Sequence, residues 1–288
     1  MLIRHARKAA SRRRTFSLVA TTLALTLIVS LFLAPSIAHA AHPSSSTLVG
    51  PKTYYLALGD SLAFGYQPNL DFSHSYPAQW YSSNLSKHHV KSYTNLGCNG
   101  ETSNTFINGG CPYSYLLHTY YIGAQLNAAV SFIKAHPGAV SPVSLDIGAN
   151  DLLPDINSST CAISSTWSTD LATLDTNLTQ TILPKLTAAL TVNGVRTGDL
   201  VMMNYYDPYQ NICPGSLTYV QTLNQHLASD AAQFNVPVSD VFTAFGGATT
   251  PNPNICTDTW MCSAYVNIHA TTTGYGVIAN SFGATTGY

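Results

Sequence analysis

Charge is what this chain has least of. Only 9% of its 288 residues are Asp, Glu, Lys or Arg, and Glu101 is the single glutamate. Half of the twelve basic residues crowd into the first fourteen positions (Arg4, Arg7, Lys8, Arg12, Arg13, Arg14). Beyond Ala40 six basic residues face thirteen acidic ones, a net charge of −7. That balance excludes recognition of a phosphate backbone, and so a nucleic-acid partner. It equally excludes stable association with anionic membrane surfaces. No Cys-x2-Cys pair and no histidine-rich spacing occurs, so a metal site is not expected. There is no internal repeat or low-complexity tract, which excludes a repeat array. Tyr, Thr, Ser and Asn supply the polar surface instead.

Residues 1–15 are basic without an acidic residue, and an apolar run follows from Phe16 to Leu33. Pro35 breaks the run, and Ala38-His39-Ala40 offers a small-x-small cleavage site. This is the layout of a secretory signal peptide over 1–40, cleaved after Ala40. The run could nearly span a bilayer, so an uncleaved anchor is the alternative. Residues 41–51 read as a flexible leader and 52–288 as one domain with a sizeable core. All six cysteines lie beyond the cleavage point, and an even count in an exported chain implies disulfides. Pairing of neighbours is the simplest arrangement: Cys98–Cys111, Cys161–Cys213 and Cys256–Cys262.

The rest alternates strand and helix. Strands are expected at Thr53–Leu58, Val90–Leu96, Val143–Ile147, Leu200–Tyr205 and Val236–Val241. Helices are expected at Tyr76–Lys87, Ile122–Lys134, Ser168–Leu190 (kinked near Pro184), Leu217–Phe234 and Thr272–Phe282. Residues 97–121 and 245–268 read as long loops, each holding two cysteines. Such alternation predicts an α/β fold with helices on both faces of a parallel sheet. Residues just past strand ends then gather at one edge. Three polar, glycine-bearing segments qualify: Gly59-Asp60-Ser61, Gly97-Cys98-Asn99-Gly100 and Gly148-Ala149-Asn150-Asp151.

Four blocks in order carry a resemblance to a known family. They are Gly59-Asp60-Ser61-Leu62, Asn95-Leu96-Gly97-Cys98-Asn99-Gly100-Glu101-Thr102, Gly148-Ala149-Asn150-Asp151, and Ile268-His269-Ala270 with Gly274-Tyr275. Together they resemble the SGNH hydrolase superfamily, the GDSL esterases and lipases. The resemblance implies a flavodoxin-like three-layer α/β/α sandwich on a five-stranded parallel sheet. It implies a secreted serine esterase or lipase, without cofactor or metal, acting as a monomer on a small-molecule or polymer-linked ester. Ser61 would be the nucleophile and His269 the general base. The Ser61 N–H, the Gly100 N–H and the Asn150 amide would bind the oxyanion.

The family's third triad residue, an aspartate three positions before the histidine, is missing: Val266 stands there. Three groups are candidates to orient His269. A backbone carbonyl near Val266 is favoured, Asp258 comes next, and Asn267 is the third. Asp60, Asp151, Asp146 and Glu101 read as turn, support or capping residues. Tyr113, Tyr115, Tyr120 and Tyr121 are expected to pack their loop against the body rather than line a substrate pocket. No amphipathic lid of the kind an interfacial lipase would want is visible. A non-catalytic module binding carbohydrate or a partner, and an acyltransferase using the same serine, are the alternatives on this fold.

Overall fold

The computed structural model describes residues 48–288. The expected signal peptide and its cleavage point lie outside the described residues, as does the leader as far as residue 47. Among the described residues no helix is long and apolar enough to cross a membrane.

Five parallel strands form the central sheet: β1 (Tyr54–Gly59), β2 (Ser92–Asn95), β3 (Val140–Asp146), β4 (Leu200–Met203) and β5 (Val238–Ser239). Their spatial order is β2-β1-β3-β4-β5. Parallel strands between two helical layers are buried on both sides, so their sequences are apolar throughout rather than alternating. Leu56, Ala57, Leu58, Val143, Leu145, Val201 and Met202 are all fully buried. The order reverses between β1 and β3, so the chain leaves these neighbouring strands in opposite directions and opens a crevice at their carboxyl ends.

The helices pack in two layers. One contains α2 (Tyr76–Ser83), α9 (Val241–Ala244), α10 (Pro253–Asp258) and α11 (Thr272–Thr286). The other contains α3 (Ser103–Asn108), α4 (Gln125–Ala135), α6 (Trp167–Asn177), α7 (Leu183–Ala189) and α8 (Ser216–Ala232). Two one-turn helices, α1 (Ser61–Phe64) and α5 (Ala149–Leu152), begin directly after β1 and β3.

The differences from the expected elements have local causes. The two long loops each contain a helix. Helix α3 is started by Thr102, whose hydroxyl accepts the Thr105 N–H while the Thr105 hydroxyl accepts the Thr102 N–H. Helix α10 is started by Asn252, with Pro253 in its first turn. The helix expected over 168–190 is two helices joined by a wider turn at Leu178–Ile182. Pro184 lacks the N–H that a continuous helix needs there. A small hairpin, Ile156–Asn157 with Ala162–Ile163, precedes α6. The cysteines pair as neighbours, Cys98–Cys111, Cys161–Cys213 and Cys256–Cys262.

At the amino-terminal edge of the sheet Asp199 gathers distant parts of the chain. Its carboxylate accepts the N–H groups of Val49 and Gly50 and the Tyr288 hydroxyl, each at 2.8 Å.

Candidate active site

The turn after β1 is fixed before any chemistry is considered. Gly59 has φ +137°, and a Cβ there would lie 2.2 Å from the Asp146 carbonyl oxygen. Only glycine lets the chain turn this close to β3. Gln125 of α4 clamps the same residue: its Oε1 accepts the Gly59 N–H at 2.7 Å and its Nε2 donates to the Gly59 carbonyl at 2.9 Å. The sequence offered no signal for Gln125, which lies 66 residues away. Asp60 then caps α1, its Oδ1 accepting the Leu62 N–H at 2.9 Å. Because the aspartate is the cap, the Ser61 hydroxyl makes only a long 3.4 Å contact with Asp60 Oδ1 and stays within reach of a base.

Two buried carboxyls lie beneath this turn. Asp146 Oδ2 accepts the N–H groups of Asp60 and Ala63 at 3.2 Å, and its Oδ1 accepts the Tyr76 hydroxyl at 2.7 Å. Asp60 Oδ2 accepts the Tyr205 hydroxyl at 3.2 Å. Burial pushes both carboxyls above the usual range, Asp146 furthest, with the neighbouring Asp60 charge adding to the effect. Two carboxylates buried this close cannot both carry charge at little cost, which favours a protonated Asp146. Asp146 therefore supports the turn that Asp60 caps.

His269 reaches the same spot from the other end of the chain. Its segment is held by the Trp260 N–H, which donates to the His269 carbonyl at 3.0 Å, and by the Tyr206 hydroxyl, which donates to the Ile268 carbonyl at 2.7 Å. His269 Nε2 lies 2.8 Å from Ser61 Oγ. Its Nδ1 lies 2.7 Å from Asn267 Oδ1. That oxygen also accepts the His269 backbone N–H at 3.0 Å, which keeps the Asn267 amide from turning its NH2 inward. The tautomer follows: Nδ1–H donates to Asn267, and Nε2 accepts the Ser61 hydroxyl. Burial alone lowers the His269 pKa from 6.5 to about 4.

Of the three groups considered for Nδ1, the structure brings Asn267 to the ring. No carbonyl near Val266 and no Asp258 oxygen contacts Nδ1. Asp258 ends α10, where its carbonyl accepts the Thr271 N–H at 2.9 Å and packs against Gly274. Val266 takes a left-handed φ of +43°, an outlier for a β-branched residue. This twist immediately precedes Asn267 and belongs to the turn that carries the amide to the ring.

The donors expected for an oxyanion share this cleft. Among the described residues neither the Ser61 N–H nor the Gly100 N–H is paired with a protein group. Gly100 has φ +80°. Asn150 Nδ2 donates one hydrogen to the Glu101 carbonyl at 3.0 Å, leaving the other. Asp151 accepts the N–H and hydroxyl of Ser103, tying the Asn150 segment to α3. Of the loop tyrosines only Tyr121 packs inward, beside the buried Glu101. Tyr113 and Tyr115 line the cleft, and Tyr120 is 77% exposed. Cys98, Glu101 and Cys111 are the one grouping of metal-type side chains among the described residues, and their sulfurs are joined in a disulfide, which leaves no thiolate to bind an ion.

Ser61, Asn150 and His269 separate two cavities. One is an open cleft of about 650 Å³ bordered by Tyr66, Phe72, Asn99, Gly100 and Tyr113. The other is a narrow slot of about 50 Å³ bordered by Leu62, Leu152, Ile156, Trp167 and Leu223.

The fold recurs in solved structures of low sequence identity. An extracellular lipase from Streptomyces rimosus is 18% identical, with a TM-score of 0.53 over 81% of this chain and 99% of its own. An acetylxylan esterase from Geobacillus stearothermophilus is 16% identical, with a TM-score of 0.52 over 83% of this chain and 96% of its own. No curated protein matches the sequence. The model of one family does match, over residues 57–277, which include the serine turn, the Gly100 loop, Asn150 and His269, and the chain accordingly belongs to the GDSL-like lipase/acylhydrolase family.

Proposed function

We propose that the protein is a secreted serine hydrolase of carboxylic esters working through an acyl-enzyme on Ser61. Family membership supplies the general activity, hydrolysis of ester bonds. The observation that carries the rest is the 2.8 Å approach of His269 Nε2 to Ser61 Oγ, on a cleft with unpaired donors.

Ser61 Oγ attacks the ester carbonyl while its proton passes to His269 Nε2. The carbonyl oxygen becomes an oxyanion held by the N–H groups of Ser61 and Gly100 and the free hydrogen of Asn150 Nδ2. Each such donor is typically worth about 3–4 kcal/mol in the rate. The imidazolium returns its proton to the departing alcohol as the tetrahedral intermediate collapses. Water then repeats the sequence on the acyl-enzyme, releasing acid and restoring Ser61. Asn267 holds the ring and its tautomer but brings no charge to meet the imidazolium, so the base is oriented without electrostatic help.

Export is part of the proposal. Three disulfides favour an oxidising compartment. Protein recovered from the medium should begin at Ala41 by intact mass. It should hydrolyse p-nitrophenyl acetate and lose at least a thousandfold in kcat on Ser61→Ala, with its melting temperature kept. Turnover that survives this substitution refutes the assignment.

A further inference from the structure

The two cavities meet at Ser61, and they differ in kind. An ester presents two arms to a nucleophile, an acyl group and an alcohol. Resting on the hydrolase reading above, we propose that the slot takes a short aliphatic acyl chain and the open cleft a bulky, uncharged, ring-bearing alcohol such as a sugar.

The slot is apolar by construction. Leu62, Leu152, Leu153, Ile156, Val220 and Leu223 supply side chains from five segments. Two of the three aromatic rings that border it have already used their polar tips: the Tyr205 hydroxyl donates to Asp60, and that of Tyr206 to the Ile268 carbonyl. Asp60 also borders the slot, with its oxygens occupied by the Leu62 N–H and Tyr205. Away from Ser61, Asn150 and His269, the Trp167 N–H is all that is left there to meet a polar group, and a hydroxylated or charged acyl arm would lose most of its hydration without replacement. The walls are braced as well. Cys161 belongs to the hairpin that carries Ile156, Cys213 precedes the helix that carries Val220 and Leu223, and the two are joined. A braced slot of about 50 Å³ admits a few methylenes and stops a fatty chain.

The cleft is more than ten times larger and chemically mixed. Tyr113 and Tyr115 offer ring faces, 42% and 76% exposed, and Asn99 and Asn150 offer amides. No Lys or Arg lines it, so it holds no counterion for a phosphate headgroup. Rings that stack on tyrosine and hydroxyls that pair with amides match this surface, as on a sugar.

A panel of p-nitrophenyl esters with two to twelve acyl carbons tests the acyl arm. Each buried methylene is worth about 0.8 kcal/mol, so kcat/KM should climb about fourfold per methylene. It should peak near four carbons and fall by eight. Val220→Phe should cut the butyrate-to-acetate ratio at least tenfold, and Leu153→Ala, at a half-buried position, should move the peak to longer chains. The alcohol arm is read by comparing ethyl butyrate with a butyrylated methyl glucoside. The glucoside should be preferred at least tenfold, and Tyr115→Ala should reduce that preference. A peak at ten or more carbons, no response to either slot variant, or faster cleavage of dissolved dibutyryl phosphatidylcholine than of the glucoside would overturn the proposal. Failure to hydrolyse any ester, with no labelling of Ser61 by a short alkyl phosphonate, would instead count against the hydrolase reading.

Discussion

At the residue scale, one amide stands where a carboxylate is usual. Asn267 fixes the His269 tautomer without adding charge, and burial then leaves the ring with a pKa of about 4. The base must be neutral to act, so activity should rise through about pH 4 and stay level toward neutrality. A carboxylate at this position favours the protonated ring and raises its pKa. Asn267→Asp should therefore move the acid limb of the kcat/KM profile upward by at least one pH unit, costing activity between about pH 4 and 6. Asn267→Ala should lower kcat about 10- to 100-fold, because nothing then selects the tautomer. An unmoved limb in the aspartate variant would show that Asn267 does not govern the ring. The four motif blocks made Ser61, Gly100, Asn150 and His269 legible from sequence. The orienting group was legible only as one of three candidates, with Asn267 ranked last, because its position depends on a left-handed φ at Val266, which no β-branched residue advertises.

Elements meet at the serine turn through backbone rather than through apolar contact alone. Helix α4 is apolar on its inner face, yet the side chain that matters most there is Gln125. It satisfies both polar groups of Gly59 and donates to Glu101 at 2.9 Å. Gln125→Leu would leave the buried Gly59 N–H unpaired, costing about 1–3 kcal/mol, while the Gly59 carbonyl keeps the Cys98 N–H at 3.0 Å. For a domain of this size that cost is a fall in Tm of about 2–12 °C. The same variant should lose activity below its melting point, since the turn carrying Ser61 loses its clamp. A Tm within 2 °C of the parent would refute the clamp. The strand and helix order was legible because apolar runs and their spacing report burial directly. Helices α3 and α10 were not, since their sequences (Ser103–Asn108 and Pro253–Asp258) are short and polar and only their capping residues, Thr102 and Asn252, mark them. The length of β5 was overestimated for the opposite reason. Val236 and Val241 are apolar and buried, yet only Val238 and Ser239 pair with β4.

Over the whole molecule, stability is divided between one continuous core and three covalent ties. The ties close loops of very different length, with partners 13, 52 and 6 residues apart. Chain entropy alone assigns about 4 kcal/mol to the longest and about 2–3 kcal/mol to each of the others. The paired change Cys161→Ser with Cys213→Ser should lower Tm more than either of the other two paired changes, as scanning calorimetry would show. An equal or smaller loss would mean that the hairpin and α8 hold each other without the bond.

The Asp199 carboxylate lies at the edge of the sheet opposite Ser61, and it binds Val49, Gly50 and the Tyr288 side chain at once. Residues at the two extremes of the described chain are therefore neighbours. A brief peptide joining Tyr288 to Val49, with new ends opened at the exposed Ile122, would redraw the connectivity while leaving the catalytic rim untouched. Immobilisation through the Asp199 side would likewise present the cleft outward to a polymeric substrate.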